Sequence, residues 1–266
     1  MSKVKKEAKR AGLFLRSLKD RYLALDGNIK NIYHACIQKT GSQWVKKVFG
    51  DPEIVRKTGL RVHPQFRYEV DEFKKRFPKY TFVPGLYIPY YLYNEIKKPK
   101  QYKTIYVVRD PRDVVVSWYY SMKYTHTKMG NVRRHREHLK DLNEKDGIEY
   151  CIKHLQVKFS FVREWWNNKE DPSIYMVRFE DLTKNPVSEW MDIFEHCDIE
   201  IDKRILKKVL SKYTKEKMRK RDLEQRPGGR SHYRKEKKGW RDLFDNHHID
   251  TFYRVNGDIV NLLGYK

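Results

Sequence analysis

Apolar residues gather into short, nearly continuous runs at three places along the chain: NIYHACI (31–37), KTIYVV (103–108) and SIYMVRF (173–179). Runs of this length, rich in Ile, Val, Tyr and Phe, predict strands covered on both faces. A fourth run, YTFVPGLYI (80–88), contains Pro84. Proline has no N–H to give a ladder, so this strand is expected to be kinked or to lie at a sheet edge. Elsewhere the apolar spacing is helical. The segment 114–166 reads as mostly helix, with VVVSWYYSM and IEYCIKHLQVKFSFVREWW carrying the period. PVSEWMDIFEHC and KRILKKVLSKYTKEKMRKR extend helix over 186–221, and IDTFYRVNGDIVNLLGYK returns to it, with Gly264 as the stop. Strands alternating with helices predict a single α/β domain, a central and mainly parallel sheet flanked by helices. Ligands of such sheets bind beyond the carboxyl ends of the strands. That rule points to residues 39–42, to Arg109-Asp110 and to Glu180-Asp181, each of which closes a strand.

The first of these is a strand, a small polar turn and a helix in succession. Thr40, Gly41, Ser42 and Gln43 present backbone N–H groups at a helix start, where unpaired donors and the helix dipole favour an anion. Gly41 permits close approach, Ser42 and Gln43 add side-chain donors, and Lys39 adds a full charge. Trp44 offers either a face for a stacked base or a core residue beside Val45 and Val48. In the second, Asp110 caps a helix with Pro111 in its first turn, leaving Arg109 at the strand end and Ser117 on the helix. Arginine gives a phosphate a two-pronged donor. The structural alternative is an Arg109–Asp113 pair with Ser117 packed mid-helix. A third candidate is the stretch 226–241, where Pro227-Gly228-Gly229 and dense charge predict a loop. Arg234-Lys235 and Gly239-Trp240 could fold over a bound anion there.

Composition narrows the function. A chain of 266 residues, 39% hydrophobic and 14% aromatic, builds a real core. Its net charge of +23 predicts an anionic partner: nucleic acid, membrane surface, polyanionic polymer or charged small cofactor. Residues 203–241 hold 17 Lys and Arg against 4 Asp and Glu, although a run of this kind is often a solvated helix face. Cys36, Cys151 and Cys197 are too few and too scattered for a disulfide framework or a zinc site, and suit a reducing compartment. Residues 1–27 form a basic amphipathic segment, expected to be a helix packed on the body or lying on an anionic membrane. No apolar run approaches membrane length, so a soluble, cytoplasmic protein is expected.

QKTGSQW, VVRDPRDVVVSWYY, RFEDLTKNP and YRKEKKGWRDLF, in this order, resemble the signature segments of the sulfotransferases that use 3'-phosphoadenosine 5'-phosphosulfate (PAPS). The resemblance covers roughly residues 30–245. It implies a P-loop nucleotide-kinase-like fold over 28–266, with a basic clamping loop at about 222–241. By the same resemblance Lys39, Thr40, Gly41, Ser42, Gln43 and Trp44 hold the 5'-phosphosulfate, with Trp44 stacked on adenine. Arg109 and Ser117 fall on ligands of the 3'-phosphate, and Arg234 and Lys235 on its clamp. Tyr213, with Ser211 beside it, falls on a second adenine-packing position.

Several positions depart from the family pattern. The clamp reads Arg234-Lys235-Glu236 where Arg-Lys-Gly is usual, and the acid that commonly precedes the family's tryptophan is missing. Phe179 replaces a frequent tyrosine. Where cytosolic members carry a histidine in a Thr-His-Leu-Pro-like turn, this chain has GLYIPYY, with Tyr87 in that place. A tyrosine of ordinary pKa near ~10 is a poor base at neutral pH. His63, His126 and an acid such as Glu95 are the alternatives. Lys39 is expected to stabilise charge on the leaving phosphate, without a metal. The acceptor is expected to be a small molecule or saccharide, acidic if the surplus charge serves it. The aromatic run YIPYYLYNE (87–95) either lines its pocket or forms a packed wall. A nucleotide-dependent phosphotransferase would want a longer loop with its lysine near the end. A nucleic-acid or polyanion binder using 203–241 would lose affinity steeply with salt and ignore Lys39.

Overall fold

β1 (Asn31–Cys36) is buried along its whole length, because it lies at the centre of the sheet. The computed structural model describes residues 31–64, 77–126, 131–226, 230–234 and 238–266. The segment 1–27 and Lys235 lie outside these residues. The strands are completed by β2 (Arg61–Val62), β3 (Thr81–Leu86), β4 (Tyr102–Val108) and β5 (Ile174–Arg178). Their order is β2-β3-β1-β4-β5, with every pairing parallel. In chain order the helices begin with α1 (Ser42–Phe49), α2 (Pro52–Thr58), α3 (Tyr90–Glu95) and α4 (Pro111–Tyr120). They continue with α5 (Asn131–Lys140), α6 (Glu144–His154) and α7 (Gln156–Asn167). After β5 come α8 (Phe179–Lys184), α9 (Pro186–His196), α10 (Lys203–Lys212) and α11 (Lys215–Glu224). The last two are α12 (Asn246–Asn256) and α13 (Ile259–Leu262).

Strand side chains alternate between faces, and β1 feeds two separate cores. Tyr33 and Ala35 join Tyr106, Trp118, Ile152 and Trp165 under α4, α6 and α7. Ile32 and Cys36 join Phe49, Phe82, Trp190 and Phe194 under α1 and α9. His34 shares the second face, stacked on Phe82 at 6.5 Å, and its Nδ1 accepts the Gly85 N–H at 3.3 Å. Burial lowers the His34 pKa to about 3, so the ring is a neutral core residue.

The strand containing Pro84 is not at an edge. β3 lies between β2 and β1, and its register with β1 shifts between Tyr33 and Ala35. The break accommodates the missing proline N–H, and Gly85 takes up the turn at φ 64°. The edge belongs instead to β2, whose two residues are too short to give a period. All three cysteines are buried free thiols, and burial pushes Cys36 up to about 12. Among the described residues no helix is long and apolar enough to cross a membrane.

Candidate active site

At the end of β1 the chain turns twice through left-handed backbone, at Lys39 (φ 77°) and Gly41 (φ 86°). A lysine in that region is strained by about 1–3 kcal/mol and needs its surroundings to hold it. Two contacts do so. Thr40 Oγ1 donates to the Ile37 carbonyl at 2.8 Å, and Arg109 Nη1 donates to the Lys39 carbonyl at 2.9 Å. Gly41 is required for space as well as for its angle. A Cβ there would sit 2.7 Å from the Phe179 ring.

Arg109 leaves the end of β4 and lies over that same Phe179 ring, at 4.8 Å. Its Nε is 4.0 Å from Glu180 Oε1, and it is buried with no hydrogen-bond partner. Glu180 is itself fixed, taking the Asp110 N–H at 3.3 Å on Oε1 and the Tyr265 hydroxyl at 2.7 Å on Oε2. The ends of β1, β4 and β5 are thereby tied together around one guanidinium. The Arg109–Asp113 pair is not the arrangement found, since Asp113 accepts the Trp240 N–H at 3.0 Å.

Lys39 is half-buried at this frame. Burial first, then the charges of Arg109 and Arg234, lowers its pKa to about 8. No cause acts in the other direction. Arg234 reaches the site from the loop 230–234, with its guanidinium 4.4 Å from the centre of the Tyr120 ring. Ser42 Oγ and the Tyr87 hydroxyl share a hydrogen bond of 2.7 Å, joining the end of β3 to the start of α1.

The remaining sequence candidates fall into distinct places. Trp44 is half-buried edge-on against Trp190 at 5.8 Å, and its indole N–H is buried without a partner. Trp44 and Tyr213 pack on the same core cluster, and the Tyr213 hydroxyl donates to Asp51 at 2.8 Å. Gln43 is exposed at the first turn of α1, and Ser117 is half-buried on α4. Ser211 is exposed and turned back on its own helix, donating to the Lys208 carbonyl at 2.9 Å. His63 follows β2, with Nδ1 2.7 Å from the Pro64 carbonyl and its ring against Phe77. Glu95 is exposed at the end of α3. In the aromatic run, Tyr93 is buried against Trp165 with its hydroxyl on Thr104, and Tyr90 packs beside it. That part is a packed wall, from which Tyr91 projects 59% exposed.

One functional candidate, His232, gives no motif in the sequence. His126, which follows a π-type turn at Ser121–Thr125, meets the ring of His232 at 5.5 Å. His232 senses the charge of Lys39, so this pair borders the site. Burial and neighbouring cations, Arg226 foremost, lower the His232 pKa to about 4. Its only signal in the sequence was a histidine within the basic loop. Among the described residues no group of His, Cys, Asp and Glu is placed to hold a metal ion.

The family model described as Sulfotransferase domain matches residues 32–263. The chain belongs to the sulfotransferase family. Mouse sulfotransferase 1 family member D1 is 25% identical over 205 residues, 65% of this chain and 60% of the relative. The chain thus spans less than two thirds of that relative's length. Mouse sulfotransferase 1A1 is 32% identical over 95 residues, 35% of this chain and 30% of the relative. Among solved structures, mouse sulfotransferase SULT7A1 complexed with PAP superposes with a TM-score of 0.63 at 17% identity, covering 86% of this chain and 84% of that one. Retinol dehydratase in a complex with retinol and PAP gives a TM-score of 0.59 at 16% identity, covering 92% and 86%. These likenesses show the sulfotransferase fold, and the turn at 39–41 lies beyond the central strand β1.

Proposed function

We propose that this sulfotransferase-family chain moves a sulfuryl group from PAPS to a hydroxyl or amine of a small-molecule or saccharide acceptor. The observation that carries the reading is the meeting of Lys39, Arg109 and Arg234: Arg109 donates to the Lys39 carbonyl, and the charges of both arginines oppose that of Lys39. Cations held together in this way favour an anion among them. Arg109 Nε, buried without a hydrogen-bond partner, is a donor that such an anion would satisfy. PAPS, when bound, supplies the activated sulfuryl group.

The chain's residues supply positioning and charge. Lys39 and the backbone N–H groups opening α1 hold the 5'-phosphosulfate. They stabilise negative charge on the phosphate oxygen as its bond to sulfur breaks and the acceptor's bond forms. Arg109, Ser117, Arg234 and Lys235 hold the 3'-phosphate, and Trp44 and Tyr213 hold the adenine. Tyr87 orients Ser42 through their 2.7 Å hydrogen bond. We assign the acceptor's proton to His126, whose ring is paired with His232 at the border of the site. The three buried free thiols support a reducing compartment, and the cytoplasm is the location we propose.

Titration calorimetry with 3'-phosphoadenosine 5'-phosphate (PAP) and with AMP tests the donor site. PAP is expected to bind at least about tenfold more tightly, because charge-assisted hydrogen bonds add to its affinity. Arg109→Ala is expected to erase the difference. Weak and equal binding of both nucleotides would overturn the reading and leave the basic surface of 203–241 to be explained. For the proton acceptor, His126→Ala is expected to lower kcat on the order of 10²-fold with PAP affinity unchanged. Full activity in His126→Ala together with its loss in Tyr87→Phe would transfer the role to Tyr87.

A further inference from the structure

The loop carrying Arg234 is tied to α11 through Asp222. Asp222, on the last turn of α11, accepts the Ser231 hydroxyl and the His232 N–H through the same oxygen, Oδ2, each at 2.7 Å. Its other oxygen, Oδ1, is 3.3 Å from Arg226 Nε. Arg226 in turn donates from Nη1 to the Thr125 carbonyl at 3.3 Å, reaching the turn that follows α4. The Asp222 side chain is only 14% exposed. Ser231 is buried and closes the turn by accepting the Tyr233 N–H at 3.1 Å.

These bonds fix the chain immediately before Arg234. With Ser231 and His232 held, the next residues run back toward α4, where the Arg234 guanidinium lies over Tyr120. The same hold places the His232 ring against His126. An anionic side chain so close to an anion-binding site would oppose its ligand if it faced inward. Asp222 instead spends its lone pairs on the loop and on Arg226, and so orders the cation without facing the anion.

We propose that Asp222 is the positioning residue of the donor site: it sets Arg234 over the bound nucleotide by holding Ser231 and His232. The proposal rests on the donor reading above. It assigns Asp222 no contact with either substrate. Its consequence is selective. Loss of Asp222 weakens the grip on the phosphate that Arg234 holds and leaves the interactions at Lys39 and Trp44 in place.

The test is calorimetry with PAP and with AMP on wild type, Asp222→Ala, Ser231→Ala, Arg234→Ala and the double variant Asp222→Ala/Arg234→Ala. Thermal melting checks that each is folded. Asp222→Ala is expected to reduce the preference for PAP about tenfold while AMP affinity holds. Ser231→Ala, which leaves the helix untouched, is expected to show a smaller loss in the same direction. In the Arg234→Ala background Asp222→Ala is expected to add little, because both changes remove one function. Asp222→Asn, whose one carbonyl oxygen can still accept both loop donors while the partner of Arg226 is lost, is expected to restore part of the preference. A preference that survives Asp222→Ala and Ser231→Ala, or full additivity in the double variant, would overturn the proposal alone. Absence of any PAP preference in wild type would overturn the donor reading and the proposal with it.

Discussion

Replacing Lys39 with alanine is expected to lower kcat by about 10²–10³-fold, the usual cost of removing one preorganised donor from a developing charge. The folded protein is expected to be no less stable for it. Lys39 is a charge taken out of water beside two other cations, so its ammonium is a source of repulsion until an anion arrives. The same physics fixes two opposite pH dependences. Its pKa in the folded chain is about 8, below the ordinary 10.5. Between those values the unfolded chain binds more protons, so this group makes stability rise with pH across that window. Nucleotide binding runs the other way. PAP affinity is expected to fall as pH climbs past about 8, because the ammonium proposed to hold the phosphate loses its charge. An incoming anion raises the pKa again, so binding near pH 8.5 takes up a proton. Calorimetry in two buffers of different ionisation enthalpy measures that uptake directly. It is expected in wild type and absent in Lys39→Met. Lys39→Arg is expected to show no uptake either, since a guanidinium stays charged throughout. Equal uptake in wild type and Lys39→Met would place the titrating group elsewhere.

Much of this site could be read from the sequence because strand ends are local features. An apolar run followed by Lys39 and Gly41, and another followed by Arg109-Asp110, fix where charges leave a parallel sheet. The strand at 80–88 was placed less well, since Pro84 marks a broken ladder but not which neighbours the strand has. β2 gave no signal at two residues. What the sequence hid were contacts between segments far apart in the chain. Gly41 is shaped by Phe179, Arg109 by Glu180, and Arg234 by Tyr120 and the bonds at Asp222. A loop held by single carboxylates has no period to read. Asp113 illustrates the difficulty. It is close enough to Arg109 in sequence to suggest a pair, yet its position in the first turn of α4 turns it toward the Trp240 N–H.

The frame behind Arg109 is expected to fail at Asp110. This residue caps α4, accepting the Arg112 N–H at 2.9 Å, and it pairs with the Arg112 guanidinium through both oxygens at 3.0 and 2.8 Å. Both side chains are almost fully buried, 6% exposed for Arg112 and 7% for Asp110. Asp110→Ala removes the cap and leaves a buried cation without its carboxylate, so a loss of about 3–5 kcal/mol is expected. Urea unfolding measures it. The second variant to compare is Asp110→Ala/Arg112→Met. With no charge left to strand, the double change is expected to be milder than Asp110→Ala alone, although it gives up the Arg112–Trp240 stack at 3.7 Å. A loss under about 1 kcal/mol in Asp110→Ala, or a double variant worse than the single, would show that the pair is not what holds this corner. The outcome bears on the site because the Asp110 N–H and Arg109 Nε both meet Glu180 Oε1. Loosening the turn frees the guanidinium that binds Lys39's carbonyl. PAP affinity in Asp110→Ala is therefore expected to drop at temperatures where the protein is still folded.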